Sequence, residues 1–366
     1  MAVTVFLCGD VMTGRGVDQI LPHAGDPLLA EQIVGDARTY VKLAEEANGA
    51  IPWPVGYAWP WGDALPLLDE IAPDARVLNL ETTITADGDF LPGKAVHYRM
   101  SPGNLGCLTA VRPDACVLAN NHALDFGLRG LTDTVDALAA AGLRAVGAGR
   151  DVGEAERAIG IDVHNGRRVV VAAAGAESSG VSRHWAATGR RPGVAFVPDL
   201  SGRTAEELAE RVVAARRPGD VGVVSLHWGS NWGYPVESGQ VRFARRLIDA
   251  GVDIVHGHSS HHPRPVEVYR NRLILYGCGD AVDDYEGIKG YQAYRDDLRL
   301  LYFATMADDG ALISLRMAPL RARNLRLERA TSGDADWLRA LLDHISRHFG
   351  TRFDREPDGL FAVRLP

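Results

Sequence analysis

Four histidines, His256, His258, His261 and His262, fall within seven residues directly after the apolar run Val252–Val255. Neutral imidazole is the commonest protein metal ligand, and several must converge before a divalent ion is held tightly. Residues 252 to 256 read as a buried strand. That places the imidazoles at its carboxyl end and in the loop beyond, where open α/β sheets bind ligands. A solvated histidine-rich loop is the competing explanation, and it weakens if other strands end in donors too.

Four of them do. Asp10 follows strand 3–8, Glu81 follows strand 75–80, Asn121 follows strand 113–119 and His227 follows strand 221–226. Each of these alone could be a helix cap or a packed polar residue; their shared position argues for one rim. Mixed oxygen and nitrogen donors with a carboxylate able to bridge suit two divalent ions about 3.5 to 4 Å apart. No thiolate joins them, which disfavours a closed structural zinc site. His122 with Asp125 three residues on suits an acid/base imidazole oriented by a carboxylate. Arg15 could grip a phosphate or carboxylate with its planar fork, or form an ion pair.

These residues need a sizeable core to hold them. The 366-residue chain is 46% apolar, long enough for one large domain or two intimate ones. We read residues 1–330 as the main unit, with an aromatic insertion at 24–62, and 331–366 as a helix and tail packed on it. Within the insertion, Trp53, Tyr57, Trp59 and Trp61 stand among prolines, as a packed excursion or a substrate-facing lid. Helices are expected near 63–71, 103–111, 129–141, 151–157, 203–216, 237–250 and 333–348. Strand pairs are expected at 159–164 with 167–173 and at 266–269 with 272–276, and further strands at 299–305, 311–317 and 322–328. Alternating strands and helices followed by antiparallel strands imply two packed sheets covered by helices.

Net charge is −8 with no basic run, so nucleic acid and anionic membranes are poor partners. Cys8, Cys107, Cys116 and Cys278 lack C-x-x-C spacing and read as reduced core residues. The start, Met1 to Cys8, reads as a core strand and not a signal peptide, and no run reaches the roughly 18 apolar residues of a membrane helix. A cytoplasmic protein is expected; oligomeric state is not legible.

The series Gly9-Asp-Val-Met-Thr-Gly-Arg15, Asn79-Leu-Glu81, Asn120-Asn-His-Ala-Leu-Asp-Phe-Gly127, His227-Trp-Gly229 and Gly257-His-Ser-Ser-His261 resembles the CapA family of capsule and poly-γ-glutamate synthesis, within the calcineurin-like metallophosphatase superfamily. The resemblance covers about residues 3 to 290 and implies a four-layer αββα sandwich with a dinuclear centre at the strand ends. It implies that Asp10 ligates one ion, Glu81 bridges, Asn121 and His227 bind the second, and His258 and His261 complete the shells. Mn²⁺, Mg²⁺, Ca²⁺ or Zn²⁺ would serve. Met12 stands where the superfamily has a ligand histidine, Ser259 where an imidazole is common, and Cys278-Gly-Asp280 adds an acid.

The superfamily's default reaction is phosphoester hydrolysis, with a histidine protonating the leaving oxygen. CapA-like proteins also include peptide epimerases of lasso-peptide biosynthesis, and the aromatic segment and Asp280 make epimerisation of a peptide Cα the first expectation. A phosphoesterase or a polymer-synthesis enzyme is the alternative. Under the epimerase reading His122 would be one acid/base, with Asp280, His262 or Cys278 opposite, and Arg15, Trp59 and Trp228 would contact the peptide.

Overall fold

The computed structural model describes residues 2–365. Two sheets form its centre. In the first, four parallel strands run side by side: β1 (Val3–Val11), β2 (Ala75–Leu80), β3 (Ala115–Val117) and the short Ala145–Val146. The second is built on β4 (Arg168–Ala176), β5 (Val221–His227), β6 (Ile254–His258) and β7 (Arg272–Leu275), again parallel. The short strand β8 (Asp280–Val282) then pairs in parallel with β1. β9 (Leu298–Met306) and β10 (Leu312–Ala322) extend the first sheet antiparallel, joined by Leu327–Arg329, Phe353–Arg355 and Phe361–Val363.

Side chains alternate across each strand, and the alternation sorts the core into three layers. Val3, Val5, Leu7, Val77, Val117, Val171, Val223 and Ile254 pack between the sheets. Phe6, Cys8, Leu78 and Cys116 face helices that include Ala64–Ile71 and Gly127–Ala140. Val224, Leu226, Val255 and Ile274 face helices Gly202–Val213 and Ser238–Asp249. The result is the four-layer αββα sandwich that the resemblance implied.

Several elements differ from expectation. The insertion at 24–62 holds a helix, Arg38–Asn48. The expected helix 103–111 is a 3₁₀ turn followed by Gly106–Thr109. The strands expected at 311–317 and 322–328 are one long strand and the short Leu327–Arg329. The sixth strand runs to His258, so His256 and His258 lie on the strand and not beyond it.

One irregularity sets up everything at the strand ends. By simple alternation Asp10 would share the outer face with Phe6 and Cys8. The pairing of β1 with β2 shifts between Cys8 and Asp10, a β-bulge at Gly9 that turns Asp10 inward and leaves Val11 outward. Gly9 permits this because a Cβ there would lie 1.7 Å from the Gly279 carbonyl oxygen. The Asp10 N–H donates to that same oxygen at 3.0 Å. Gly9→Ala is therefore expected to destabilise the fold by about 1–3 kcal/mol through overpacking, seen as a several-degree fall in Tm by thermal denaturation.

Candidate metal centre

Along each inner face the residues change from apolar to polar at one level. On β2 the series Ala75, Val77 continues as Asn79 and Glu81; on β5, Val221 and Val223 continue as Ser225 and His227; on β6, Ile254 continues as His256 and His258. With Asp10, Asn121, His261 and Asp280 these meet above the inter-sheet core. Two groups of donors have atoms within 4.8 Å of one another: Asp10 with His227 and His258, and Asp10 with His261 and Asp280. Asp10 belongs to both.

Hydrogen bonding assigns the imidazole tautomers. His256 Nε2 lies 3.0 Å from the Cys8 carbonyl oxygen, which can only accept, so Nε2 carries the proton and Nδ1 is a lone pair. The Ser225 hydroxyl therefore donates to His256 Nδ1 at 3.0 Å and accepts from His258 Nε2–H at 2.9 Å. This leaves His258 Nδ1 as a lone pair. His227 Nε2–H must donate to the Asn121 side-chain oxygen at 3.1 Å, so its Nδ1 is a lone pair as well. These two Nδ1 atoms face each other at 2.7 Å. Two opposed lone pairs at that distance repel unless a proton or cation sits with them. Asp10 Oδ2 and Asp280 Oδ2 are likewise buried without a partner. This donor set fits divalent cations.

The second group departs from the superfamily pattern. Met12 is buried, with its sulfur accepting from the Tyr285 hydroxyl at 3.6 Å. Asp280, paired in register with Asp10, brings a carboxylate instead; His261 Nδ1 lies 2.9 Å from it and its Nε2 3.0 Å from the Asn231 amide nitrogen, so a metal here would displace one of these bonds. Asn79 steadies the acids, its amide donating to Asp10 Oδ1 at 2.7 Å and Glu81 Oε2 at 3.0 Å. Glu81 stands between groups, 3.8 Å from His122 Nε2 and 3.9 Å from His227 Nδ1.

His122 donates from Nδ1 to Asp125 Oδ2 at 2.6 Å, and Asp125 also pairs with Lys94. Burial pushes His122 down to about 4 against the pull of Asp125. Burial and then Asp280 raise Asp10 to about 7, while burial and Asp10 hold Glu81 well above the carboxylate range. Burial drives His227 and His258 well below the usual imidazole value. At His261 burial acts downward too, but the Asp280 carboxylate outweighs it and raises the group.

Other expected site residues lie in different surroundings. Trp228 is buried and stacked on Tyr276, with its N–H on the Tyr276 carbonyl at 3.2 Å, so it is core and not a peptide contact. Trp59 packs against the outer core and donates to the Asn324 carbonyl at 2.9 Å. Arg15 is buried, ion-paired with Asp284 and Glu31 and covered by the Tyr40 ring, so it has no free fork to offer. His262 uses both nitrogens, Nε2 accepting from Gly233 N–H and Nδ1 donating to the Pro263 carbonyl, each at 3.0 Å. Cys278 is buried, and burial holds its thiol well above its ordinary value. Lys94, Asn79, Asn120, Ser225 and Tyr285 were not singled out from sequence. Asn79 and Ser225 sit two residues before Glu81 and His227, and that inner-face spacing could have found them.

Fold and site define an αββα sandwich with a candidate two-ion rim. The chain belongs to the family described as bacterial capsule synthesis protein PGA_cap, whose model matches residues 4–285. It is 57% identical over 364 residues to a probable polyglutamine synthesis accessory protein of Mycobacterium tuberculosis, covering 99% of this chain and 96% of that one. It is 30% identical to the PGA biosynthesis protein CapA of Bacillus subtilis, over 82% of this chain and 74% of that one. The capsule biosynthesis protein CapA of Bacillus anthracis is 25% identical over 87% of this chain and 67% of its own. No helix among the described residues is long and apolar enough to cross a membrane.

Titration calorimetry with Mn²⁺ is expected to show two equivalents bound by the native chain. Asp280→Ala should lose one and Asp10→Ala both. Ser225→Ala, which frees the His258 tautomer, should weaken one site roughly 10- to 100-fold with the fold intact by circular dichroism.

Proposed function

We propose that this chain is a CapA-type, metal-dependent hydrolase acting on a glutamyl peptide chain in the synthesis of an anionic polymer. The observation that carries this reading is the arrangement of two donor groups sharing Asp10, beside the buried His122–Asp125 dyad. The relatives named for polyglutamine, PGA and capsule synthesis support the substrate class.

Asp10, His227 and His258 would hold one ion and Asp10, His261 and Asp280 the other, with Glu81 between them. Bound there, divalent ions supply Lewis acidity toward a substrate carbonyl oxygen and lower the barrier to attack by water. Asn121 orients His227, and the Ser225–His256 pair orients His258. Asp125 holds the Nδ1 proton of His122, so the Nε2 lone pair faces the Glu81 side of the site. With its basicity lowered by burial, His122 is neutral at pH 7 and accepts a proton at Nε2. In amide hydrolysis water oxygen forms the new C–O bond, the C–N bond breaks, and Nε2 relays a water proton to the leaving nitrogen.

Epimerisation of a peptide Cα needs a second acid/base on the opposite face. Of the groups expected there, Asp280 is engaged with His261, His262 has both nitrogens committed, and Cys278 is a buried thiol. That favours hydrolysis over inversion, and the comparisons bring no lasso-peptide enzyme to support the latter. Phosphoester hydrolysis uses the same centre and is the second reading.

The test is incubation of oligoglutamate with the Mn²⁺-loaded chain in deuterium oxide. Released amino groups with no Cα deuterium are expected. Cα deuterium with a D-residue would instead establish the epimerase, and turnover of a phosphodiester alone the phosphoesterase. His122→Ala should lower kcat roughly 10²- to 10⁴-fold while metal content stays at two equivalents.

A further inference from the structure

Next to the metal centre the structure contains two adjoining cavities that share Tyr285, Ile288 and Asp296. The nearer, about 160 Å³, is lined by His261 and Asn231 together with the stacked pair Trp232 and Tyr291, whose ring centroids lie 4.0 Å apart. The farther, about 460 Å³, is lined by five cations, Lys289, Arg295, Arg299, Arg321 and Arg323, against three carboxylates, Glu286, Asp296 and Asp297. In a chain of net charge −8 this is a local reversal of sign.

The cations are unequally engaged. Arg295 is held by Asp297 and Asp334, Arg299 by Asp283, and Arg321 by Glu328. Lys289 and Arg323 have no side-chain partner among the described residues. Arg299 is buried, 1% exposed at its side chain, so the charge open to the cavity is that of Lys289 and Arg323. Two cations left without a counter-charge along one cavity make it complementary to an anion. Glu286 is turned to backbone N–H groups of Asn324 and Leu325 at 2.8 and 2.9 Å. Asp296, at the junction of the cavities, has no ion-pair partner among the described residues and offers an acceptor to an amide N–H. An anion that also carries amide N–H groups satisfies both ends.

We propose that the cavity of Lys289, Arg321 and Arg323 is a carboxylate-binding subsite for an acidic peptide. The chain would reach it from the metal centre across the Trp232–Tyr291 stack. The inference deepens the hydrolase reading and rests on it for direction, but the binding it describes does not require turnover.

The experiment measures anisotropy of fluorescein-labelled hexaglutamate with the Mn²⁺-loaded full chain in a His122→Ala background, which keeps the probe intact. Hexaglutamate is expected to bind at least tenfold more tightly than hexaglutamine, and more weakly as salt is raised. Lys289→Ala with Arg323→Ala, surface changes whose folding circular dichroism checks, should raise its Kd roughly tenfold; Arg323→Gln alone should give part of that, and Arg190→Ala, outside the cavity, no change. Equal affinity for hexaglutamine, or an unchanged Kd in the double variant, would overturn the subsite. Cation-dependent binding with no hydrolysis by the His122 chain would sink the hydrolase reading and leave the subsite standing. Hydrolysis with an unchanged KM in the double variant would do the reverse.

Discussion

The Asp10 carboxylate faces the gap between the sheets only because the chain bulges at Gly9, where the Gly279 carbonyl comes too close for any side chain. That contact sets the position of the donor common to both candidate groups. It also ties β1 to the segment carrying Asp280, through the Asp10 N–H bond to Gly279, so the two carboxylates cannot move independently. The bulge lies in the pairing of β1 with β2, and the carbonyl that crowds it comes from residue 279, far along the chain.

Around that fixed carboxylate the electrostatics are frustrated in a particular way. Burial raises Asp10 and Glu81 and depresses His227 and His258, so these four are pushed toward neutrality, while Asp280 and His261 hold each other toward their charged forms. Carboxylate oxygens without donors and two opposed imidazole lone pairs cannot be satisfied by one another. A divalent cation relieves all of these at once. Binding it then contributes directly to the stability of the folded state. The surrounding amides and the serine complete the arrangement, since Asn79, Asn121 and Ser225 each use the donor or acceptor that aims a ligand atom inward.

Much of this was legible from residue order. Period-2 apolar runs, each ending in a donor, place Asp10, Glu81, Asn121, His227 and His258 together because parallel strands of equal polarity present their carboxyl ends on one rim. What sequence could not show was partnership. Trp59 and Trp228 look like ligand contacts because exposed aromatics often are, yet both N–H groups find backbone carbonyls of this chain. His262 sits beside His261 and differs from it only in where the loop turns its ring. Asp280 was read as an acid/base in its own right because nothing in its neighbourhood of sequence reveals that it pairs with β1. The helix Arg38–Asn48 was missed since its segment reads first through its prolines and tryptophans, which lie mostly beyond it.

The exchange of a histidine for Met12 and the presence of Asp280 belong together. A nitrogen donor is lost from the strand that carries Asp10, and a carboxylate appears at the position paired with Asp10 on the neighbouring strand. The two candidate groups thereby become chemically unequal: two imidazoles and one carboxylate in the first, one imidazole and two carboxylates in the second. Carboxylate oxygen suits harder ions such as Mn²⁺ and Mg²⁺, whereas imidazole suits zinc and iron. The second group, being the harder of the two, is also the one that opens toward the cavity of Trp232 and Tyr291 through His261. The two-histidine group, by contrast, is closed in by Ser225 and His256.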